Sequence, residues 1–320
     1  MKKQILFIVV SVLLFSCVKK DVTSPEDFNV TTAKATYKVG DTIRFKITGN
    51  PDFIYYFSGD SANIYENRNR NSLTGRVTMS FTSRLTQGSI DPLKQQNTLQ
   101  VLLSNSFVTP SIGYLIDSAA VINASPTVWA NITSRFTLPI VPSISSINTG
   151  VVDITDFAKA SEGKPVYIAF KYTDVFDAAQ VQRFWYLTNI TVDNTLPDGT
   201  KNNIFFLINK SSIPLFSIVN IKNTDAKWTI GSSAAQVSIQ GGTVAGAADN
   251  EDWLISRALN LSQVAPDNAI PVKTISDNIV TEVTKVYSKP GTYKVVFLAN
   301  NQNVYNKQEI TRELIITVTP

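Results

Sequence analysis

Alternation of apolar and polar residues at period two predicts strands at both ends of the chain. Near the start, the pattern covers residues 35–39 and 42–48, and an aromatic segment follows at 53–57. Near the end, apolar side chains alternate again over residues 293–299 and 314–318. Successive side chains of a strand point to opposite faces of its sheet, so this period is typical of half-buried strands.

The two terminal groups of strands predict one β-sandwich that is split along the chain, over residues 29–75 and 281–320. Neither group is long enough to form an immunoglobulin-like sandwich alone. The alternative is that each group belongs to its own neighbouring sandwich, but no full set of short strands lies beside either one. Chain ends that lie close together tolerate an inserted domain, so residues 76–280 are predicted to be an insertion.

The insertion is again predicted to consist of short strands. They are expected at Leu99–Leu103, Val151–Ile154, Val166–Tyr172, Trp185–Val192 and Ile204–Ile208. Two short helices are predicted, near Ile154–Ser161 and near Ala178–Phe184. No sustained helical period or internal repeat is present, which favours a jelly-roll β-sandwich. The predicted fold class is therefore all-β, an immunoglobulin-like sandwich with an inserted jelly roll.

The first residues predict export. Lys2 and Lys3 precede an apolar run over residues 5–15, which is too short to span a bilayer core of roughly 30 Å. Ser16-Cys17 resembles a bacterial lipobox, so residues 1–16 are predicted to be a lipoprotein signal peptide and residues 17–28 an acylated tether. Cys17 is the only cysteine; the alternative is a free cysteine after an ordinary signal peptide. Stable anchoring needs more than one acyl chain.

Lys19-Lys20-Asp21 is similar to the charged stretch that sends some Bacteroidota lipoproteins to the outside of the outer membrane. We therefore expect a lipid-anchored protein at the cell surface, with a periplasm-facing anchor as the alternative. The whole chain carries 29 basic and 25 acidic residues, a formal charge of +4. Because no basic stripe is present, no nucleic-acid partner is expected.

Histidine does not occur in the sequence. Its absence excludes serine–histidine–aspartate and cysteine–histidine catalysis and most zinc chemistry. No catalytic residue is predicted, and a non-enzymatic role is favoured.

A resemblance to a known family covers most of the chain after the signal. The segments that carry it are residues 99–104, 129–136, 152–157, 165–172, 184–190 and 252–256. They resemble the Bacteroidota surface lipoproteins of the domain-of-unknown-function 5017 type. The resemblance implies a split immunoglobulin- or polycystic-kidney-disease-like domain and a galactose-binding-like or cleaved-adhesin-like jelly roll. It also implies an outer-membrane lipoprotein beside glycan-uptake partners, and it transfers no catalytic residue.

Four residues are the candidates for ligand binding. An indole in a polar neighbourhood suits the apolar face of a sugar, and a tyrosine beside arginines combines a ring with bidentate donors. These residues are Trp228, Tyr65, Arg68 and Arg70. The alternative for the last three is an ordinary strand end with a solvated loop. Trp185 and Trp253 are expected in the core, and Trp129 is left unassigned.

No cofactor is required by the sequence, although a jelly roll allows a structural calcium. Asp153 and Asp156 are the calcium candidates, and solvated surface acids or a helix cap are the alternative. The leading functional hypothesis is a non-catalytic glycan-binding or adhesive surface lipoprotein. The second is a structural or partner-binding subunit of an outer-membrane complex, and the third is a carboxylate-dependent glycan hydrolase.

Overall fold

A computed structural model describes residues 21–109, 116–207, 215–224, 226–231 and 235–320. The prediction of an all-β fold is confirmed, because antiparallel sheets dominate it. Two compact units form: the first joins the chain up to Arg70 with Pro266–Pro320, and the second is Asn71–Ala265. Within the described ranges, no helix is both long and apolar enough to cross a membrane.

The described elements are numbered in chain order. The strands are β1 (Asn29–Thr31), β2 (Thr36–Lys38), β3 (Thr42–Thr48), β4 (Phe53–Phe57), β5 (Arg76–Thr86), β6 (Leu99–Ser104), β7 (Ala130–Asn131), β8 (Ile147–Asn148), β9 (Val152–Asp153), β10 (Tyr167–Asp174), β11 (Phe184–Thr195), β12 (Lys201–Phe206), β13 (Phe216–Lys222), β14 (Trp228–Ile230), β15 (Gln236–Gln240), β16 (Asn250–Ser256), β17 (Ile270–Lys273), β18 (Glu282–Val286), β19 (Gly291–Gln302) and β20 (Lys307–Thr319). The α-helices are α1 (Ser118–Asn123) and α2 (Thr155–Ser161), and short 3-10 turns occur at Tyr65–Asn67, Pro126–Val128 and Thr133–Arg135.

In the first unit, a sheet of order β1-β3-β18 faces a sheet of order β17-β4-β19-β20-β2. The alternation in β3 buries Ile43, Phe45 and Ile47 against the second sheet. The rings of Phe45 and Phe297 lie 5.5 Å apart between the sheets. Strands from both ends of the chain therefore build one sandwich core, in which β4 pairs with β19.

The boundaries of the units differ from the expected insertion of residues 76–280. Strand β17 pairs with β4 and so belongs to the first unit. On the other side, a bridge between Ser72 and Gln263 closes the base of the second unit. The second unit consequently begins before residue 76 and ends well before residue 280.

In the second unit, a sheet of order β13-β16-β10-β6-β7 faces a sheet of order β14-β15-β11-β5-β8. Strands β12 and β9 add to the second sheet by pairing with β11 and β5. Side chains of both sheets form one core, including Phe81, Phe170, Leu187 and Leu254. This arrangement is a β-sandwich.

Of the two predicted helices in this unit, α2 forms at Thr155–Ser161, as predicted near Ile154–Ser161. The helix predicted near Ala178–Phe184 is wrong. The Asp177 carboxylate accepts a hydrogen bond from the Ala179 amide at 2.8 Å, which makes a local turn. Gln182 then bonds to the Gly242 carbonyl, and β11 starts at Phe184.

Candidate functional site: a tryptophan cleft

The outer face of the five-stranded sheet of the second unit carries a row of polar and aromatic side chains. Val101, Phe170 and Leu254 point to the core, so their neighbours Gln100, Lys171 and Trp253 point outward. The strand register places Lys171 opposite both Gln100 on β6 and Trp253 on β16. Three residues that are far apart in sequence therefore lie side by side across adjacent strands.

Trp129 completes one wall of this row. It follows the turn Pro126–Val128, and its ring centroid lies 5.5 Å from that of Trp253 at an interplanar angle of 52°. Phe107 supports it from behind, with ring centroids 4.9 Å apart. The two indoles border a cleft of about 370 Å³. We call it the tryptophan cleft; its polar and aromatic lining is Gln100, Trp129, Asn131, Lys171, Glu251 and Trp253.

Charges within the tryptophan cleft are paired with each other. The Lys171 ammonium lies 3.1 Å from the Glu251 carboxylate and 5.0 Å from the centroid of the Trp253 ring. The Trp253 indole N–H donates to the same carboxylate at 3.1 Å. Burial alone raises the pKa of Glu251, but the hydrogen bonds from Trp253 and Lys171 outweigh it and hold that pKa below its ordinary value. Glu251 therefore stays ionised at neutral pH.

This geometry suits recognition of an uncharged polar ligand. An indole offers an apolar face, and the side chains beside it offer amide and charged hydrogen-bonding groups. The Lys171–Glu251 pair fixes both side chains and leaves the cleft without excess charge. Pockets of this size and composition bind small molecules by apolar contact with a few oriented polar groups.

A model of the family described as "Domain of unknown function (DUF5017)" matches residues 16–213. The chain belongs to this family. The matched segment contains Gln100, Trp129 and Lys171 and ends before β16, which carries Glu251 and Trp253. Comparison with curated proteins and with solved structures finds no match.

The candidate residues Tyr65, Arg68 and Arg70 lie in the first unit. Tyr65 packs edge-on against Phe57 at 5.4 Å, and the Arg68 guanidinium lies 3.8 Å from the centroid of the Tyr65 ring. Arg68 is exposed and covers one face of that ring, so the two form a stacked pair.

Arg70 does not extend this pair into a binding surface. Its guanidinium lies 2.9 Å from the carboxylate of Asp267, whose side chain is only 2% exposed. The prediction that Arg70 offers free bidentate donors to a ligand is therefore wrong, because the arginine neutralises a buried aspartate.

Trp228 is also misassigned. It lies on β14 with 1% of its surface exposed, in the core between the sheets. Its indole N–H donates to the backbone carbonyl of Asp252 at 3.4 Å. The prediction of an exposed stacking residue is wrong. The polar residues around Trp228 lie on the edge strand β14, but the Trp228 ring itself points into the core.

The calcium candidates Asp153 and Asp156 are already bonded to arginines. Asp153 accepts from Arg76 at 2.9 Å, and Asp156 pairs with Arg135 at 2.7 Å. Hydrogen bonds from Thr155, followed by the bond from Arg76, lower the pKa of Asp153 to about 2. In the described part of the chain, no group of three or more acidic or cysteine side chains is arranged to hold a metal ion. Cys17 lies outside the described residues.

The residues of the tryptophan cleft were not among the predicted site residues. Trp253 is buried to 7% exposure, as expected for a core residue, but it lies on the outer face of the sheet and forms the floor of the cleft. Lys171 and Glu251 sit in strongly apolar strands at outward positions. The available signal was a charged residue at an outward position of each apolar strand, Lys171 in β10 and Glu251 in β16.

Proposed function

We propose that the chain is a non-catalytic cell-surface lipoprotein that binds glycan in the tryptophan cleft. The observation that carries this proposal is the cleft itself, where two indoles adjoin Gln100, Lys171 and Glu251. The apolar face of a pyranose packs on an indole, and its hydroxyls bond to amide and charged groups. The cleft volume of about 370 Å³ lies at the lower end of the range for small-molecule sites, which favours a short glycan segment.

The arrangement of carboxylates supports binding rather than hydrolysis. Glycoside cleavage needs two carboxyl groups about 5 to 9.5 Å apart across the bond. Among the described residues that line the tryptophan cleft, Glu251 is the only acid, and it is paired with Lys171. A ligand bound here meets no second carboxylate in the cleft.

The proposal includes a location and a domain type for each unit. Lipidation of Cys17 would anchor the chain in the outer membrane, where a glycan-uptake complex is the proposed partner. We further propose an immunoglobulin-like class for the first unit and a galactose-binding-like jelly roll for the second. Cys17→Ala should release the protein from the membrane fraction; retention there would contradict the anchor.

A glycan array tests the binding proposal. The full chain in a non-ionic detergent should give saturable binding to a defined glycan, and Trp129→Ala should abolish it. Phe176→Ala is the matched control, because Phe176 is an aromatic residue of the same unit that is 59% exposed and outside the cleft. Circular dichroism must show that both variants are folded. A blank array, or equal loss in the control, would contradict the proposal.

Partner binding is a second candidate function, favoured by the tip of the β19–β20 hairpin. Val304 and Tyr305 are 94% and 71% exposed there, in the turn closed by the bond from Asn303 to Asn306. An outer-membrane partner should co-purify with the wild type and not with the Val304→Ser/Tyr305→Ser variant. Equal recovery with both proteins would remove this candidate.

A further inference from the structure

Strand β16 also carries polar side chains that point into the sandwich. Asn250 and Asp252 are 2% and 0% exposed, and they alternate with the outward Glu251 and Trp253. Neither oxygen of the Asp252 carboxylate and neither polar atom of the Asn250 amide has a hydrogen-bond partner within the described ranges. Buried polar side chains are nearly always bonded, so this pair requires a physical explanation.

A third side chain joins them from the neighbouring strand. Asn220 on β13 is registered directly opposite Asp252, and its Oδ1 atom is likewise buried without a partner in the described structure. The register shifts immediately after Asn220, so a β-bulge lies beside this position. We call Asn220, Asn250 and Asp252 the inner polar cluster. It brings four unpartnered buried oxygen atoms and one carboxylate charge onto one face of adjacent strands.

In contrast, the polar side chains of β10 that are registered opposite Asn250 and Asp252 have hydrogen-bond partners. Asp174 is registered opposite Asn250, and its carboxylate accepts from the amides of Arg183 at 2.8 Å and Val175 at 3.0 Å. Tyr172 is registered opposite Asp252, and its hydroxyl donates to the Arg183 carbonyl at 2.9 Å. The backbone around these residues therefore completes their bonding but leaves the inner polar cluster incomplete.

The nearby arginine does not neutralise Asp252. Arg183 is 1% exposed, and its guanidinium donates to the Lys94 carbonyl at 3.1 Å. Burial lowers the pKa of Arg183, and Asp174 is the carboxylate that acts against this shift. Asp252 forms no ion pair with any residue that the structure describes.

We propose that the inner polar cluster is a structural site for a hard divalent cation of the calcium class. Ca²⁺ takes six to eight oxygen ligands from carboxylates, amide carbonyls, backbone and water. The cluster supplies both carboxylate oxygens of Asp252 and the amide oxygens of Asn220 and Asn250. Asn220 and Asp252 are direct cross-strand neighbours on one sheet face, where Cβ atoms lie about 4.5–5.5 Å apart, and Asn250 is the next residue along that face of β16.

Electrostatics at Asp252 agrees with this site. Burial, followed by the charge of Glu251, raises the pKa of Asp252 to about 7. An ionised carboxylate without a partner is therefore costly at this position. A bound cation would compensate the carboxylate charge and take the four unpartnered oxygen atoms of the three side chains as ligands.

Equilibrium dialysis with radioactive calcium tests the site on the full chain in a non-ionic detergent at pH 7.5. We expect one Ca²⁺ per chain, a saturable rise in the unfolding temperature, and reversal by a chelator. Asp252→Asn should weaken Ca²⁺ binding more than about tenfold, since affinity follows the charge of the ligands. Asp153→Asn is the matched control and should bind as the wild type does.

A gain-of-function variant keeps the test decisive if Asp252→Asn does not fold. Asn220→Asp adds a second carboxylate to the inner polar cluster and should tighten Ca²⁺ binding. Absence of stoichiometric binding to the wild type would overturn the proposal. Unchanged affinity in folded Asp252→Asn, unchanged affinity in Asn220→Asp, or loss of binding in Asp153→Asn would also overturn it.

Discussion

Glu251 and Trp253 point outward from β16, whereas Asn250 and Asp252 alternate with them and point inward. On the outer face, Glu251 receives bonds from Lys171 and Trp253, so its charge is compensated by the protein itself. On the inner face, Asp252 has no such partner among the described residues. One strand thus presents a preorganised cleft on one side and an incomplete ligand set on the other.

This difference separates two kinds of site. In the tryptophan cleft the protein has fixed its own charged groups, which leaves rings and amides for a neutral ligand. In the inner polar cluster the charge is left for a ligand to compensate. The two acids also differ in exposure. The Glu251 side chain is 22% exposed and reaches Lys171, whereas Asp252 is fully buried and has no charged partner among the described residues.

Trp253→Ala should have the largest effect, on both the stability of the outer face of β16 and glycan binding there. The side chain is 7% exposed and packs against Trp129, so its removal should lower the free energy of unfolding by about 3–5 kcal/mol. Glycan binding should be lost as well. Denaturant unfolding measures the change, with Ile218→Ala on the neighbouring strand as an exposed control. A loss below about 1 kcal/mol would show that Trp253 is not packed as described.

The inner face is tested by pH in the absence of calcium. The pKa of Asp252 is about 7 in the folded protein and has an ordinary value of 3.8. Between these values the folded state keeps a proton that the unfolded chain loses, so the free energy of unfolding falls as pH rises from about 4 to about 7. Each pKa unit corresponds to about 1.36 kcal/mol. Asp252→Asn should flatten this part of the stability curve, and persistence of the full slope in that variant would contradict the assignment.

Glu251→Gln tests whether the Lys171–Glu251 ion pair positions the side chains of the tryptophan cleft. Glutamine still accepts the bond from the Trp253 indole but no longer pairs with the Lys171 charge. We expect a loss of about 1 kcal/mol in unfolding free energy, since the pair is only partly buried. Glycan affinity should fall with it, as measured by titration, because Lys171 is then free to move. Unchanged affinity would show that the ion pair does not position the cleft.

The smallest effect is expected for Asp153→Asn. Its carboxylate is 48% exposed and bonded to an exposed Arg76. The free energy of unfolding should change by about 0.5 kcal/mol or less, because exposed ion pairs contribute little. Thermal unfolding with and without calcium measures it. If Asp153→Asn instead abolished a calcium-dependent rise in the unfolding temperature, the metal site would lie at Asp153, as predicted from the sequence.

The short strands predicted at Leu99–Leu103, Val166–Tyr172 and Trp185–Val192 form as β6, β10 and β11. The helix predicted over residues 178–184 does not form, because the Asp177 side chain makes a turn that competes with a helix. The predictions that Trp228 and Arg70 are available to a ligand were also wrong, because sequence does not show what a side chain contacts in the fold. Trp228 points inward from a polar segment, and the partner of Arg70 is nearly 200 residues away in sequence.

The two proposed sites could not be derived from alternation alone, because both depend on strand register. Lys171 meets Trp253 only when β10 pairs antiparallel with β16 in the observed register. Asn220 meets Asp252 only through the pairing of β13 with β16. A sequence assigns residues to faces, while the order and offset of the strands decide which residues become neighbours.

Because the first unit is split along the chain, its strands form in a set order during synthesis. The Tyr287 hydroxyl bonds to the Ser58 carbonyl across 229 residues, and β4 pairs with β19. The earliest strands to emerge must therefore wait for the last ones, whereas every described strand pairing of the second unit lies within Asn71–Ala265. Contacts of high sequence separation form late. The second unit can therefore fold before the first, which is completed only after the segment Pro266–Pro320 has been synthesised.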